Sequence, residues 1–121
     1  MRKSLLTLTT LLLAATPAWA QSPPQHRPTT QPAQYTWDLM CLAADNHWKI
    51  NGGEEITSAD DEISSQLINA AKKSGAANGK DFQAVSDDMM PYFAGYLNDP
   101  HAYYELTSGE MRQVCIRLVK E

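Results

Sequence analysis

Cysteine is scarce in this sequence of 121 residues, which contains only Cys41 and Cys115. Neither belongs to a CxxC or CxxCH motif, and no His/Cys cluster with zinc-ligand spacing accompanies them. These absences argue against a thiol redox motif, an attached haem and a zinc site. The sequence also lacks a glycine-rich phosphate loop and EF-hand spacing, so we expect neither a cofactor nor a metal.

Long hydrophobic runs are missing as well, because the run from Leu5 to Ala15 is too short to span a membrane. Two basic residues precede it, and residues 18–20, Ala-Trp-Ala, follow it with the small-x-small pattern of a cleavage site. We therefore predict a Sec signal peptide over residues 1–20, cleavage after Ala20 and a periplasmic location. No cysteine follows the cleavage site, which argues against a lipid anchor there.

Positive charge is in the minority, with 10 Lys and Arg against 14 Asp and Glu and a net charge of −4. The predicted signal peptide contains Arg2, Lys3 and no acidic residue, so its removal leaves a net charge of −6. Nucleic acids and anionic membranes attract positive charge, so this balance argues against both as partners. It suits a basic protein partner, or simply solubility.

Residues 21–34 contain four prolines and almost no apolar side chain, which predicts a disordered or polyproline-like spacer. Residues 35–121 then form a single domain, small enough for core burial alone to be marginal. No stretch alternates between apolar and polar residues over a useful length, so strands are not expected. We predict an all-α bundle of four to five short helices.

The two cysteines lie on the apolar faces of the predicted first and last helices. The first face consists of Trp37, Met40, Cys41, Ala44 and Trp48, with Thr36 as the N-cap and a stop at residues 51–53. The last helix begins with the capping box Thr107–Glu110. In an oxidising compartment the two inward thiols should pair, and closing a loop of about 75 residues would stabilise the fold by roughly 4.5 kcal/mol.

The middle of the chain gives two less regular segments. A second helix is predicted from Thr57 to Gly75, with acidic residues in its first turn. The third region contains Pro91, so we expect two helical pieces with a kink near residues 87–88 and Asp88 as the new N-cap. On the outer surface we expect an Asp45–Lys49 pair, with Arg112 of the last helix also pointing outward.

A catalytic site is not apparent. His47 is the best candidate base, but no serine or free cysteine is expected to face it, so a partly exposed helix histidine is the simpler interpretation. The acidic runs 60–62 and 87–88 lie where helix starts favour carboxylates. We therefore predict that the protein is not an enzyme.

Aromatic residues are concentrated near the end of the third region and in the connection that follows it, namely Tyr92, Phe93, Tyr96, Tyr103 and Tyr104. Some must pack in the core, and the others would be available to anchor a protein interface. Packing alone in a small domain is an equally good explanation. The connection 98–106 would be the contact segment, because both its ends are fixed while its middle projects.

Three patterns together resemble the periplasmic immunity proteins that neutralise type VI secretion amidase effectors. They are an aromatic-x-x-x-Cys-Leu-Ala segment from Trp37 to Ala43, a Met-x-x-x-Cys-Ile-x-Leu segment from Met111 to Leu118, and an acidic helix followed by Tyr96-Leu97. The proline-rich spacer and the connection 99–109, DPHAYYELTSG, depart from the family's pattern.

The resemblance implies an inhibitor of a basic, secreted cell-wall peptide amidase, commonly acting as a homodimer. A connection between late helices would block the amidase groove, which here assigns partner contacts to Asp99, His101, Tyr103 and Tyr104. Two other functions fit a small, acidic, helical protein: a periplasmic acid-stress or holdase chaperone, and an accessory subunit of a periplasmic enzyme. Those chaperones have their second cysteine well before the chain end, unlike Cys115 here.

Overall fold

The computed structural model of this protein describes residues 22–52 and 55–121, so the predicted signal peptide lies outside the described residues. Within these ranges the chain forms four helices and no strand: α1 (Gln31–Asn51), α2 (Ser58–Ala77), α3 (Phe82–Asn98) and α4 (Ser108–Val119). The all-α expectation is confirmed, and the predicted four to five helices are four among the described residues. None of the described helices is both long and apolar enough to cross a membrane.

Helix α1 is the central element, since its contacts with each of the other three helices are the most extensive in the fold. Its apolar residues point in several directions around the helix, so more than one face must be covered. The buried ones are Tyr35, Trp37, Leu39, Cys41, Leu42, Ala43 and Ala44. They form one core with buried residues from α2, α3 and α4.

The start of α1 differs from the prediction. Thr30, not Thr36, occupies the N-cap position, and Pro32 lies in the first turn, where a missing backbone N–H breaks no helical hydrogen bond. The last four residues of the predicted spacer are therefore helical. Residues 22–30 contain no helix, but Arg27 ties them to the body through a 2.8 Å ion pair with the buried carboxylate of Asp38.

The predicted break in α3 is wrong, because the helix continues through Pro91. Asp81 is its N-cap and accepts a 2.8 Å hydrogen bond from the amide of Ala84, whereas Asp88 accepts one of 2.6 Å from the Tyr35 hydroxyl. A proline inside a helix costs about 3 kcal/mol. Burial of Val85, Met89 and Tyr96, on both sides of the proline, favours the continuous helix.

The starts of α2 and α4 follow the sequence closely. Thr57 with Asp60 and Thr107 with Glu110 form complete capping boxes, each with both reciprocal hydrogen bonds. Helix α2 extends past the predicted end at Gly75 to Ala77. Gly75 lies inside the helix because it packs closely against α3, where a Cβ atom would overlap the side chain of Val85.

The predicted disulfide between Cys41 and Cys115 is confirmed and joins α1 to α4 with the two Cα atoms 5.7 Å apart. Both cysteines are buried in the core. Because α1 and α4 run antiparallel here, residues one turn further along α1 meet residues one turn earlier on α4. The disulfide thereby sets the register of the contacts described next.

A buried ionic cluster lies one turn from the disulfide, and we call it the polar junction (Asp45, Asp60, Ser64 and Arg112). Arg112 is 2 % exposed; its Nε donates to Asp45 at 2.7 Å and its Nη2 donates to Asp60 at 3.1 Å. The Ser64 hydroxyl also donates to Asp45 at 2.7 Å, and the guanidinium lies 4.0 Å from the ring centroid of Trp48. The junction links α1, α2 and α4.

The polar junction corrects two predictions. Asp45 does not pair with Lys49 on the outer surface, because it is buried against Arg112, while Lys49 lies 3.8 Å from Asp61. Arg112 points inward rather than outward. The physical reason is the disulfide, since Asp45 follows Cys41 by four residues and Arg112 precedes Cys115 by three, which brings the two charges face to face.

Candidate functional site

The connection between α3 and α4 brings together all four residues predicted to contact a partner. Asp99 and His101 are exposed, and the Asp99 carboxylate accepts a 2.9 Å hydrogen bond from the His101 amide. This local bond gives the chain a turn directly after α3. The two polar groups therefore face solvent in a fixed backbone conformation rather than on a loose loop.

Tyr103 and Tyr104 are half-buried and face different helices. The Tyr103 ring packs edge-on against Tyr96, with centroids 5.1 Å apart, and its hydroxyl donates to the Tyr92 carbonyl at 3.0 Å. The Tyr104 ring is tilted against Trp37 of α1 at 6.3 Å. The prediction treated both rings as free to enter a partner's groove, whereas the structure uses part of each ring to fix the connection.

Between these rings lies a tight reversal that we call the aromatic turn (residues 103–106). The amide of Leu106 donates to the Tyr103 carbonyl at 2.9 Å, and the two residues form an isolated bridge. The central residues, Tyr104 and Glu105, both have positive φ values, 53° and 58°. Two successive positive φ values are the signature of a type I′ turn, which normally takes Asn-Gly.

This backbone conformation is strained, because a non-glycine residue in the left-handed region costs about 1–2 kcal/mol. The ends of the turn maintain it: Tyr103 packs on α3, and Leu106 packs against the core next to the capping box of α4. Glu105 is exposed at the tip. Strain of this kind persists only where surrounding contacts enforce it, and it clusters at binding sites.

In the connection, the tyrosine hydroxyls are neutral and the nearby carboxyl of Glu110 is favoured in its ionised form. Burial raises the pKa of the Tyr103 and Tyr104 hydroxyls, and Tyr92 adds to the effect at Tyr103, so both remain hydrogen-bond donors at neutral pH. The Thr107 amide holds the pKa of the Glu110 carboxyl below its usual range, with smaller help from the Thr107 hydroxyl and His101. Acidic charge therefore lies at the tip of the turn, on Glu105, and in the first turn of α4, on Glu110.

The expectation that no serine faces His47 is wrong. The Ser108 hydroxyl oxygen lies 2.7 Å from Nδ1 of His47, in hydrogen-bonding contact. However, Ser108 is only 6 % exposed, and the imidazole is stacked on Tyr96 with Phe93 at its edge. This hydroxyl is therefore largely shielded from solvent, and we interpret the pair as a contact that fixes the start of α4 against α1.

Other chemistry is sparse in the part of the chain that the structure describes. No group of three or more His, Cys, Asp or Glu side chains there is arranged to hold a metal ion. A mainly apolar opening of about 580 Å³ lies between the N-terminal segment and α1, with Trp37 and Met40 in its wall and Tyr104 beside them. The aromatic turn therefore borders the opening.

Comparison with known protein families, characterised proteins and solved structures found no match to this chain. Its function must therefore be argued from its own residues. The residue that sequence reasoning missed is Glu105, because nothing in the sequence around it indicates a positive φ.

Proposed function

We propose that this protein is a periplasmic immunity protein whose aromatic turn enters the groove of a secreted cell-wall peptide amidase and inhibits it. The observation that carries this proposal is the strained Tyr104–Glu105 backbone at an exposed tip. Glycine at these positions would avoid the strain, and a purely connecting loop gains nothing from retaining it. A fixed shape for a partner is what such strain supports.

The chemistry of the turn suits a cleft that normally accepts a peptide. Tyrosine is enriched among the residues that dominate protein interfaces, and Tyr104 is half-exposed beside the strained tip. Because the turn is already closed by the Leu106–Tyr103 hydrogen bond, little conformational entropy remains to be lost on binding. Exposed Asp99 and His101 supply polar groups that reach a catalytic Cys–His pair.

Charge supports a basic partner. The chain without its predicted signal peptide carries a net charge of −6, and Glu105 and Glu110 add acidic groups near the turn. An amidase that acts on the anionic cell wall benefits from positive charge, so the two proteins would attract each other before contact. The resemblance in the Cys41 and Cys115 segments supports the same family of partner.

A homodimer is part of the same proposal. Met90 and Leu97 lie seven residues apart on one face of α3, and they are 52 % and 61 % exposed. Residues at this spacing share a helix face, so they place two exposed apolar side chains on the side of α3 opposite the residues that contact Tyr103. A second copy bound there would leave both turns free for the amidase.

The direct test is affinity for a purified Cys–His amidase encoded beside this protein. Tyr104→Ala should weaken binding by about 2 kcal/mol or more, roughly a 30-fold change, as should Tyr103→Ala. Phe82→Ala removes an aromatic ring that is 56 % exposed at the far end of α3, and it serves as the matched control with no expected effect. Titration calorimetry measures all three. If neither tyrosine variant binds more weakly, the contact surface lies elsewhere, with the acidic α2 as the first alternative.

A chaperone is the second candidate, favoured by one observation: hydrogen bonds lower the pKa of Asp60, Asp88 and Glu110, which hold helix starts and inter-helix contacts. Acid would remove those contacts and expose apolar surface. The inhibitor proposal expects no protection of an aggregating client at pH 2–3. Stoichiometric protection in a light-scattering assay would replace the inhibitor by the chaperone.

A further inference from the structure

Gly95 faces the connection from α3. The Tyr103 hydroxyl lies directly over its α-carbon, and a Cβ atom placed on Gly95 would overlap that hydroxyl and come within 3.0 Å of the adjacent ring carbon. The same hydroxyl donates to the Tyr92 carbonyl, three residues earlier on the helix, at 3.0 Å. The ring edge rests against Tyr96. Tyr92, Gly95 and Tyr96 of α3 thus form the surface on which the Tyr103 side chain packs.

The backbone conformation of α3 does not require glycine at position 95. It lies within the last helical turn of α3, before the C-cap Asp99, and not in a left-handed conformation. Glycine in a helix is less favourable than alanine by about 1 kcal/mol. The gain must come from the close approach of Tyr103, which only a bare α-carbon permits.

We propose that Gly95 is a positioning residue that fixes the aromatic turn by allowing Tyr103 to sit on α3. The packing of Tyr103 on α3 fixes the first residue of the turn, and the packing of Leu106 against the core fixes the last. The two residues between them are then held at positive φ. The consequence for inhibition rests on the proposed function, whereas the positioning itself is independent of any partner.

Hydrogen exchange tests the positioning without an amidase. In Gly95→Ala the methyl group displaces Tyr103, so the Leu106 amide, which donates to the Tyr103 carbonyl, should exchange about tenfold faster. The Leu42 amide in the interior of α1 serves as the internal reference, because its exchange reports global opening. We expect the ratio of the two protection factors to fall, while Leu42 alone changes little.

Gly79→Ala is the matched control. Gly79 has a φ of 75° and open space around its α-carbon, so alanine there strains the backbone without touching the connection. It should lower the protection of both amides together and leave their ratio unchanged. A fall in the ratio in this control would mean that the Leu106 amide reports stability rather than positioning, and would overturn the interpretation.

Tyr103→Phe keeps the test available if Gly95→Ala does not fold. It retains the ring and removes only the hydrogen bond to the Tyr92 carbonyl, so a smaller acceleration at Leu106 is expected. Unchanged Leu106 protection in both variants would overturn the proposal. Faster exchange at Leu106 with unchanged amidase affinity would support the positioning role and count against the inhibitory role of the turn instead.

Discussion

The polar junction and the aromatic turn place side chains in opposite ways. At the junction, charges lie in the interior, and Arg112 and Asp45 satisfy each other with short, direct bonds. At the turn, aromatic rings lie near the surface, and the backbone of Tyr104 and Glu105 remains strained. At the junction, direct hydrogen bonds between the buried charges offset the cost of removing them from water, as expected of a structural element. The turn retains a strained backbone that packing at its two ends maintains, as is common at binding sites.

The largest effect should come from breaking the junction. Arg112→Met leaves the buried Asp45 carboxylate without its cation, which should lower the free energy of unfolding by about 3–5 kcal/mol. Arg117→Met on the exposed side of α4 is the matched control, expected to change it by no more than about 0.5 kcal/mol. Urea denaturation measures both.

A double variant sharpens this result. Adding Asp45→Asn to Arg112→Met removes the unpaired charge, so part of the lost stability should return. If the double variant is as unstable as the sum of the single variants, Asp45 and Arg112 act independently. The ion pair would then not be the reason for the burial of either residue.

Removal of the disulfide should have the next largest effect. Replacing Cys41 and Cys115 together by alanine should lower stability, because the unfolded chain regains the freedom of a long loop. The expected loss is about 2–4 kcal/mol, less than the roughly 4.5 kcal/mol of the chain-entropy model, because the unfolded chain without the disulfide retains some structure. Helix content by circular dichroism should change little, since the cap residues remain. Thiol labelling of the denatured, unreduced wild-type protein checks the premise, and two free thiols would contradict it.

Relief of strain in the turn should have a smaller effect of opposite sign. Glu105→Gly should raise stability by roughly 0.5–1 kcal/mol, because relief of the left-handed strain exceeds the larger unfolded-state entropy of glycine. Glu105→Ala removes the same side chain but keeps the Cβ atom, so it should show no gain. Equal melting temperatures for all three proteins would argue against a strained turn.

Acidification should reduce stability gradually. The lowered pKa values of Asp60, Asp88 and Glu110 mean that their contributions are present above the unfolded-state values of about 3.9–4.3 and are lost as pH falls through the folded-state values. Asp38 acts in the opposite direction, because burial raises its pKa, and its contribution is lost as pH rises. The three lowered pKa values predict a loss of stability below about pH 4, and the raised pKa of Asp38 opposes it.

One substitution can test whether Asp60 causes the loss of stability at low pH. Asp60→Asn should flatten the decline in a series of urea titrations between pH 5 and pH 2, because Asp60 links the α2 capping box to Arg112 of the polar junction. Glu62→Gln on the exposed side of α2 is the control. A decline of unchanged steepness in Asp60→Asn would place the acid sensitivity outside the junction.

The candidate site was only partly predictable. The sequence pointed to the connection and to Tyr103 and Tyr104, because tyrosines commonly anchor protein interfaces and this segment projects between two fixed ends. It gave no indication that Tyr103 would rest on Gly95 or that Tyr104 and Glu105 would adopt positive φ. Those features depend on how the connection folds back onto α3 and α1, and no local pattern encodes those contacts.

By itself, the sequence determined the helical class, the starts of α2 and α4, and the pairing of Cys41 with Cys115. The caps involve residues three positions apart, so local chemistry determines them. The disulfide joins residues 74 positions apart, but two cysteines allow only one intramolecular pair. Only the tertiary structure decided the inward turn of Arg112, the contact of His47 with Ser108 and the continuity of α3 through Pro91. The partners in the first two cases lie 67 and 61 residues apart, and the proline is tolerated because the core holds both halves of its helix.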